Sequence, residues 1–319
     1  MATGQYIGVN GVARKVTSPY IGVNGVARNV KSGYVGVDGV ARLFFAPESG
    51  EPVILEVEKV TANTYANQTS YTAEEFILLD IYPKPGGTVN VTYGGLTKTI
   101  TDTSGAEEPN AQKVFFGTFN GVTDSVATPS SGELTIKGDY TAFATGIYTV
   151  NEKIKSEACG CIKGVSNFGT IETLSKGMFR NCDSLTDMIL VDNTKSIPEY
   201  TFSGCDGFTS IVVPEGITDI GAFAFEKCNN LVSIILPSTL KTIGTSAIWK
   251  NLSVGPEYTV TVLATTPPTF TGDDDGHITQ NTGTSKATIV VPKGCKDVYE
   301  AANGWKGTSI LPATIVEAT

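Results

Sequence analysis

The sequence predicts a mainly β protein in three parts: N-terminal β-hairpin repeats, a two-sheet sandwich, and a C-terminal solenoid of stacked coils. Three observations carry this. One short phrase occurs three times before residue 45, alternating segments with Pro/Gly turns follow, and from Leu174 to Trp249 the apolar pattern repeats every 23 residues. Composition agrees: 40% hydrophobic and 17% charged residues describe a folded chain, and 35 glycines suit turn-rich β structure. At 319 residues there is room for two or three domains.

Residues 1–45 carry the short phrase. Tyr6-Ile7-Gly8-Val9-Asn10-Gly11-Val12-Ala13-Arg14 returns from Tyr20 to Arg28 and, as Tyr34-Val35-Gly36-Val37-Asp38-Gly39-Val40-Ala41-Arg42, once more. Asn-Gly or Asp-Gly between alternating apolar residues marks a hairpin, because a type I′ turn needs positive φ at both central positions. The expected register sets Val9 opposite Val12 and Gly8 opposite Ala13. Two-stranded hairpins are marginal alone. Tyr6, Tyr20 and Tyr34, with Val9, Val23 and Val37, are therefore expected to dock, between chains of a homo-oligomer or onto a larger assembly. One small self-contained sheet is the competing arrangement. The column Arg14, Arg28, Arg42 reads as a solvated edge or as a contact for an acidic partner.

Ala46 to Pro52 is a Pro/Gly/acidic linker, and residues 53–155 form the expected sandwich. Its strands are predicted at Val53–Val60, Phe76–Tyr82, Thr88–Tyr93, Leu96–Thr101, Val114–Phe119, Glu133–Lys137 and Ala142–Tyr148. That number and spacing of short strands suggests an immunoglobulin-like fold. Some of them could instead make the first coil of the solenoid. No nucleophile, base and orienting residue come together here.

Residues 156–319 form the solenoid. Leu174, Ile197, Ile220 and Ile243 share one column, and Phe179, Phe202, Phe225 and Ile248 a second. Cys182, Cys205 and Cys228 make a third, and Leu185, Phe208 and Leu231 a fourth. Met188, Ile211 and Ile234, then Leu190, Val213 and Leu236, close each unit. Such a period means stacked coils, since one unit cannot bury its apolar side without a neighbour. Stretches such as Thr209 to Pro214 read as short parallel strands stopped by proline. Stretches such as Ala222 to Cys228 read as short helical turns on the opposite wall. The cysteines are expected to be buried thiols. Inward-facing Met188 and Leu190 turn Ile189 outward, and likewise Val212 and Ile235, flanked by Asp187, Ser210 and Ser233. This is either a contact surface or a choice of residues for strand propensity. Beyond Trp249 the repeat decays, with Asp273, Asp274 and Asp275 in an insertion whose adjacent carboxylates point apart rather than around a cation. Ala287–Val291 reads as a further strand and Asp297–Ala302 as a short helix.

The unit Ile220 to Leu231 with Ile234-Ile235-Leu236-Pro237 resembles the BspA-type leucine-rich repeat. Pro267-Pro268, Ala287 to Gly294, Val298-Tyr299 and Gly304-Trp305 resemble that family's C-terminal cap, so the likeness covers about residues 160–312. It implies a leucine-rich-repeat binding surface and no catalysis. The tandem YIGVNGVAR phrase is similar to short repeats of phage virion and tail-associated proteins, and implies attachment through the N-terminus.

Net charge is −9, which argues against binding nucleic-acid phosphates or an anionic membrane surface. No apolar run is long enough to span a bilayer. Met1 to Tyr6 lacks the basic and apolar regions of a signal peptide. The six cysteines do not spell a secreted disulfide framework, and Cys159-Gly160-Cys161 lacks partners for a metal, His277 being the sole histidine. The expectation is a non-enzymatic phage virion protein with no cofactor, assembled in the host cytoplasm. Residues 1–45 would bind other virion proteins and the solenoid a host cell-surface glycan or protein. A BspA-type bacterial cell-surface adhesin is the alternative. A glycan hydrolase using Glu215, Asp219 or Glu226 is disfavoured, because no facing carboxylate pair can be argued on a solenoid surface.

Overall fold

A computed structural model describes residues 6–9, 12–15, 20–23, 26–29, 34–37, 40–43, 52–67, 70–102, 111–119, 122–148, 157–158, 160–169, 171, 173–191, 194–249, 258–272, 287–305 and 314–319. Cys159, His277 and the insertion Asp273-Asp274-Asp275 lie outside them, as do the Asn-Gly corners and most of the linker.

The hairpins pair as the sequence predicts. β1 (Tyr6–Val9) is antiparallel to β2 (Val12–Lys15), β3 (Tyr20–Val23) to β4 (Val26–Asn29), and β5 (Tyr34–Val37) to β6 (Val40–Leu43). Gly8 faces Ala13 and Val9 faces Val12. Among the described residues each pair is its own two-stranded sheet, so the three do not merge into one.

The immunoglobulin-like sandwich sets two antiparallel sheets face to face. One runs β11 (Leu96–Thr101), β10 (Thr88–Tyr93), β14 (Ser131–Gly138), β7 (Val53–Glu58), β18 (Ile162–Asn167). The other runs β13 (Val122–Thr123), β12 (Gln112–Phe119), β9 (Ser70–Pro83), β15 (Tyr140–Thr145), with β8 (Val60–Asn67) also on β9. The period of two is visible in burial. Val53, Leu55 and Val57 on β7, and Val89, Val91 and Tyr93 on β10, point into one core against Ile77, Leu79, Ile81 and Phe116. The expected strand Val53–Val60 breaks at Lys59, whose N–H bonds the Ser130 carbonyl; beyond it β8 pairs in the other sheet. Strand β18, which the sequence reading placed in the solenoid, hydrogen-bonds along β7 through two register shifts. A short β16 (Ile147–Tyr148) and β17 (Glu157–Ala158) pair beside it.

The solenoid is built on two parallel sheets. The longer stacks β20 (Ser210–Val212), β22 (Ser233–Leu236), β24 (Thr259–Val262), β26 (Thr288–Val291) and β27 (Thr314–Glu317). The other stacks β19 (Ser196–Ile197), β21 (Asp219–Ile220), β23 (Thr242–Gly244) and β25 (Thr269–Thr271). Every column read from the sequence is buried except at Met188, which is half-buried. Phe202 stacks between Phe179 at 5.4 Å and Phe225 at 5.5 Å. The thiols of Cys205 and Cys228 donate to the carbonyls of Phe179 and Phe202, 3.0 and 3.2 Å away. Burial pushes these thiols up, to about 12 for Cys228. Cys161 is buried beside the sandwich, its thiol donating to the Leu78 carbonyl at 3.5 Å.

The turn wall is not helical, and this corrects the expectation for Ala222 to Cys228. Gly177, Tyr200, Phe223 and Ser246, one per coil, all have positive φ (65°, 58°, 59° and 51°). A left-handed residue aims alternate peptides along the solenoid axis instead of back into a helix. The N–H groups of Tyr200, Phe202 and Gly204 therefore donate to the carbonyls of Ala222, Ala224 and Glu226, and those of Phe223, Phe225 and Lys227 to Thr245, Ala247 and Trp249. The intervening Ser203 and Cys205 bond three residues back, to Tyr200 and Phe202. The wall is thus a third ladder between coils.

Both ends of the stack are closed. At the first coil the ladder's next donors come from the sandwich: the Thr145 N–H reaches the Met178 carbonyl at 3.2 Å and its hydroxyl lies 3.1 Å from the Arg180 carbonyl. Phe143 meets Phe179 edge-on at 6.4 Å, and a Cβ on Gly160 would lie 1.6 Å from the Asn181 carbonyl oxygen. Sandwich and solenoid share one continuous core. At the far end α1 (Lys296–Ala301) lies one residue before its expected span. Tyr299 and Trp305, both fully buried, pack edge-to-face and donate to the carbonyls of Ala264 and Pro268.

Candidate binding face

The exposed side of the longer solenoid sheet carries two outward rows. Burial alternates along β20, β22, β24 and β26, so positions either side of each buried residue face out. In register the first row is Ser210, Ser233, Thr259, Thr288, Thr314, and the second is Val212, Ile235, Thr261, Val290, Val316. Neighbouring strands in a sheet lie about 4.8 Å apart, which sets the repeat of each row. Ser210 and Ser233 hydroxyls bond at 2.9 Å. Val212 is 57% exposed, and in register with Ile235 it makes the row apolar at this end.

Of the sequence-predicted face, Ser210, Val212, Ser233 and Ile235 come together here. Asp187 and Ile189 do not. They lie outside any strand, Asp187 exposed and bonded by the Thr186 hydroxyl, Ile189 half-buried against the core. At that level Ser184 donates to Glu58 of the sandwich, and residues 186–191 form no strand to extend the sheet. Sequence reasoning missed Thr259, Thr261, Thr288, Val290, Thr314 and Val316 because inserted loops break the 23-residue spacing after Trp249. The alternating Thr259-Val260-Thr261-Val262 was the available signal.

Chemically the face offers a row of hydroxyls beside a row of methyl-bearing side chains, and none of these residues is charged. Such a surface hydrogen-bonds polar edges and packs on apolar ones. The carboxylates considered for catalysis serve as staples between coils. Glu215 accepts from the Ser238 N–H and hydroxyl, both at 2.9 Å, Glu226 from Ser203 at 3.2 Å, and Asp219 from Thr218 and Thr242. Those hydroxyls hold the Asp219 carboxyl below its usual range.

The N-terminal candidates sit on the hairpin strands. Tyr6, Val9, Tyr20, Val23, Tyr34 and Val37 lie on the first strand of each pair, and Arg14, Arg28 and Arg42 on the second, opposite Ile7, Ile21 and Val35. Their side chains lie outside the described part of the structure.

Residues 152–254 match the BspA type leucine rich repeat region, in 6 copies. Such a region points to a surface adhesin or another binding role. No curated protein and no solved structure matches the chain.

Proposed function

We propose that the chain is a non-enzymatic phage virion protein, on the tail or the particle exterior. Residues 1–45 fasten it to other virion proteins as a homo-oligomer, and the solenoid presents its outward rows to a host cell-surface glycan or protein. The observation that carries this reading is the hairpin segment. Three near-identical two-stranded units, each without a third described strand, need a partner surface to be stable. The sandwich supports the reading by fixing the solenoid to the chain that leads back to the hairpins, and no described helix is long and apolar enough to cross a membrane. Deleting residues 1–45 should abolish incorporation into particles while the remaining chain keeps its far-ultraviolet circular dichroism. Incorporation of the truncated chain would refute the attachment role.

A second reading, a BspA-type bacterial surface adhesin, draws on the repeat match itself. Fractionation separates the two: the adhesin belongs in the cell envelope without particles, the virion protein in purified particles.

A further inference from the structure

A cleft of ≈ 200 Å³ lies where the sandwich meets the first coil, lined by Asp80 and Tyr82 of β9, Ala144 and Thr145 of β15, and Lys176, Gly177, Arg180 and Tyr200 of the turn wall. Its charges sort by pairing. Asp80, 5% exposed, is paired with Lys113 at 2.9 Å through Oδ1, and a carboxylate so paired keeps lone pairs for a further donor. Lys176 is neutralised by Glu199 at 2.6 Å. Arg180 makes no ion pair among the described residues, and its Nε is buried without a hydrogen-bond partner. Its guanidinium lies 4.8 Å from the Tyr200 ring centre, and the same ring stacks on Phe223 at 4.9 Å. With Tyr200 held between these neighbours, the cleft offers its phenol edge rather than a ring face.

We propose that this cleft binds a carboxylate-bearing terminal sugar, with the carboxylate on Arg180 and ring hydroxyls on Asp80, Tyr82 and Tyr200. A half-buried guanidinium with no ion pair among the described residues calls for an anion, and the two terminal nitrogens, unlike the enclosed Nε, are the atoms that would meet a carboxylate end-on. Asp80, already paired with Lys113, does not call for a second cation, so its remaining acceptor capacity suits a hydroxyl. A ligand with both features on one small ring is an acidic sugar; a peptide carboxylate would leave Asp80 unserved. The volume is below the roughly 300–1,000 Å³ of ordinary small-molecule pockets, so it takes one end group and not an extended chain. The site is separate from the uncharged sheet face and stands whether the chain belongs to a particle or to an envelope.

Ligand-observed NMR on the full chain tests this with methyl glucuronide, methyl galacturonide and N-acetylneuraminic acid, against methyl glucoside and inorganic phosphate. At least one acidic sugar should bind and methyl glucoside should not. Arg180→Gln should weaken binding about tenfold or more, the scale of one charged hydrogen bond. Tyr82→Phe, which leaves the junction packing intact, should weaken it less, and added salt should weaken it further. Retained protection of the buried thiols shows that each variant is folded. Binding by none of the three acidic sugars, equal binding of methyl glucoside, or displacement by phosphate at equal concentration would overturn the proposal. So would unchanged affinity in Arg180→Gln, and if that variant proves unfolded, unchanged affinity in Tyr82→Phe serves the same purpose.

Discussion

Replacing Phe202 with alanine removes the middle ring of the stack that runs through the solenoid. The side chain is fully buried, stacked on Phe179 and Phe225 at 5.4 and 5.5 Å, and tilted against Phe208 at 5.8 Å. Large-to-small substitution of a buried phenylalanine costs roughly 3–5 kcal/mol, most where the site cannot collapse. Phe202 cannot be replaced from above or below, because its neighbours are fixed by the ladder bonds of their own coils, including Phe202 N–H to the Ala224 carbonyl. Each aromatic pair adds about 0.5–1.5 kcal/mol beyond area burial, so the loss should fall in the upper half of that range, about 4–5 kcal/mol. Phe202→Leu fills most of the space and forfeits mainly the two stacked ring pairs, about 1–3 kcal/mol. Urea unfolding followed by circular dichroism, with labelling of Cys205 as a local probe, measures both. A loss below about 1 kcal/mol for the alanine variant, or equal losses for the two, would refute the idea that stacked rings hold the coils together.

Other outcomes follow from the same structure. Thr145→Val keeps the N–H bond to Met178 but leaves the Arg180 carbonyl without its hydroxyl donor, so it should cost about 1–3 kcal/mol in urea unfolding while Thr141→Val, on an exposed hydroxyl, should cost far less. The buried thiols are held protonated, so the folded chain binds more protons than the unfolded one at alkaline pH. Their contribution is complete below the free-thiol value of about 8.5 and is lost as pH rises towards about 12, so a melting-temperature series from pH 7 to 11 should show no thiol-driven change up to about 8.5 and a fall beyond it that Cys205→Ala and Cys228→Ala lessen. Asp219 works in the opposite sense: its lowered pKa stabilises above the usual carboxylate value and is lost as pH falls through the depressed one. Thr242→Val, which removes one of its two donors, should move acid unfolding to higher pH. Glutamate at both Val212 and Ile235 should weaken cell-surface adsorption without lowering the melting temperature by more than a few degrees, and the wild-type contact, being uncharged, should change little between low and physiological salt. Full adsorption by the double variant would remove the sheet face from the proposal.

Much of this architecture could be read directly from residues. The columns of isoleucine, phenylalanine and cysteine mark buried positions because each lies one period from the next, and Asn10-Gly11 sets a hairpin register that the backbone follows. Thr88–Tyr93 and Leu96–Thr101 are bounded by prolines and glycines and match their strands residue for residue. What escaped notice lacks a local mark. Two-residue strands such as Asp219–Ile220 are too short for a period, and Tyr200 and Phe223 adopt a left-handed backbone that only Gly177 in their column advertises. Thr145 looks like any strand threonine until the carbonyls it serves, more than thirty residues on, are seen above it. Ile189 obeys the same inward–outward logic as Val212, yet it lies outside any strand and packs half-buried against the core. The junction cleft combines residues from four separate stretches, and no spacing announces it.

Because each internal coil hands the same bonds to the next, its two neighbours cannot tell whether another unit has been slipped between them. Gaining or losing one 23-residue unit would change the reach of the chain by about 4.8 Å, while Thr145 at the base and Trp305 at the tip keep their partners. A lineage under pressure to probe a thicker or thinner surface layer thus has a ruler graduated in single coils. Shifting the pattern by even one residue would misplace every ring and thiol beyond it.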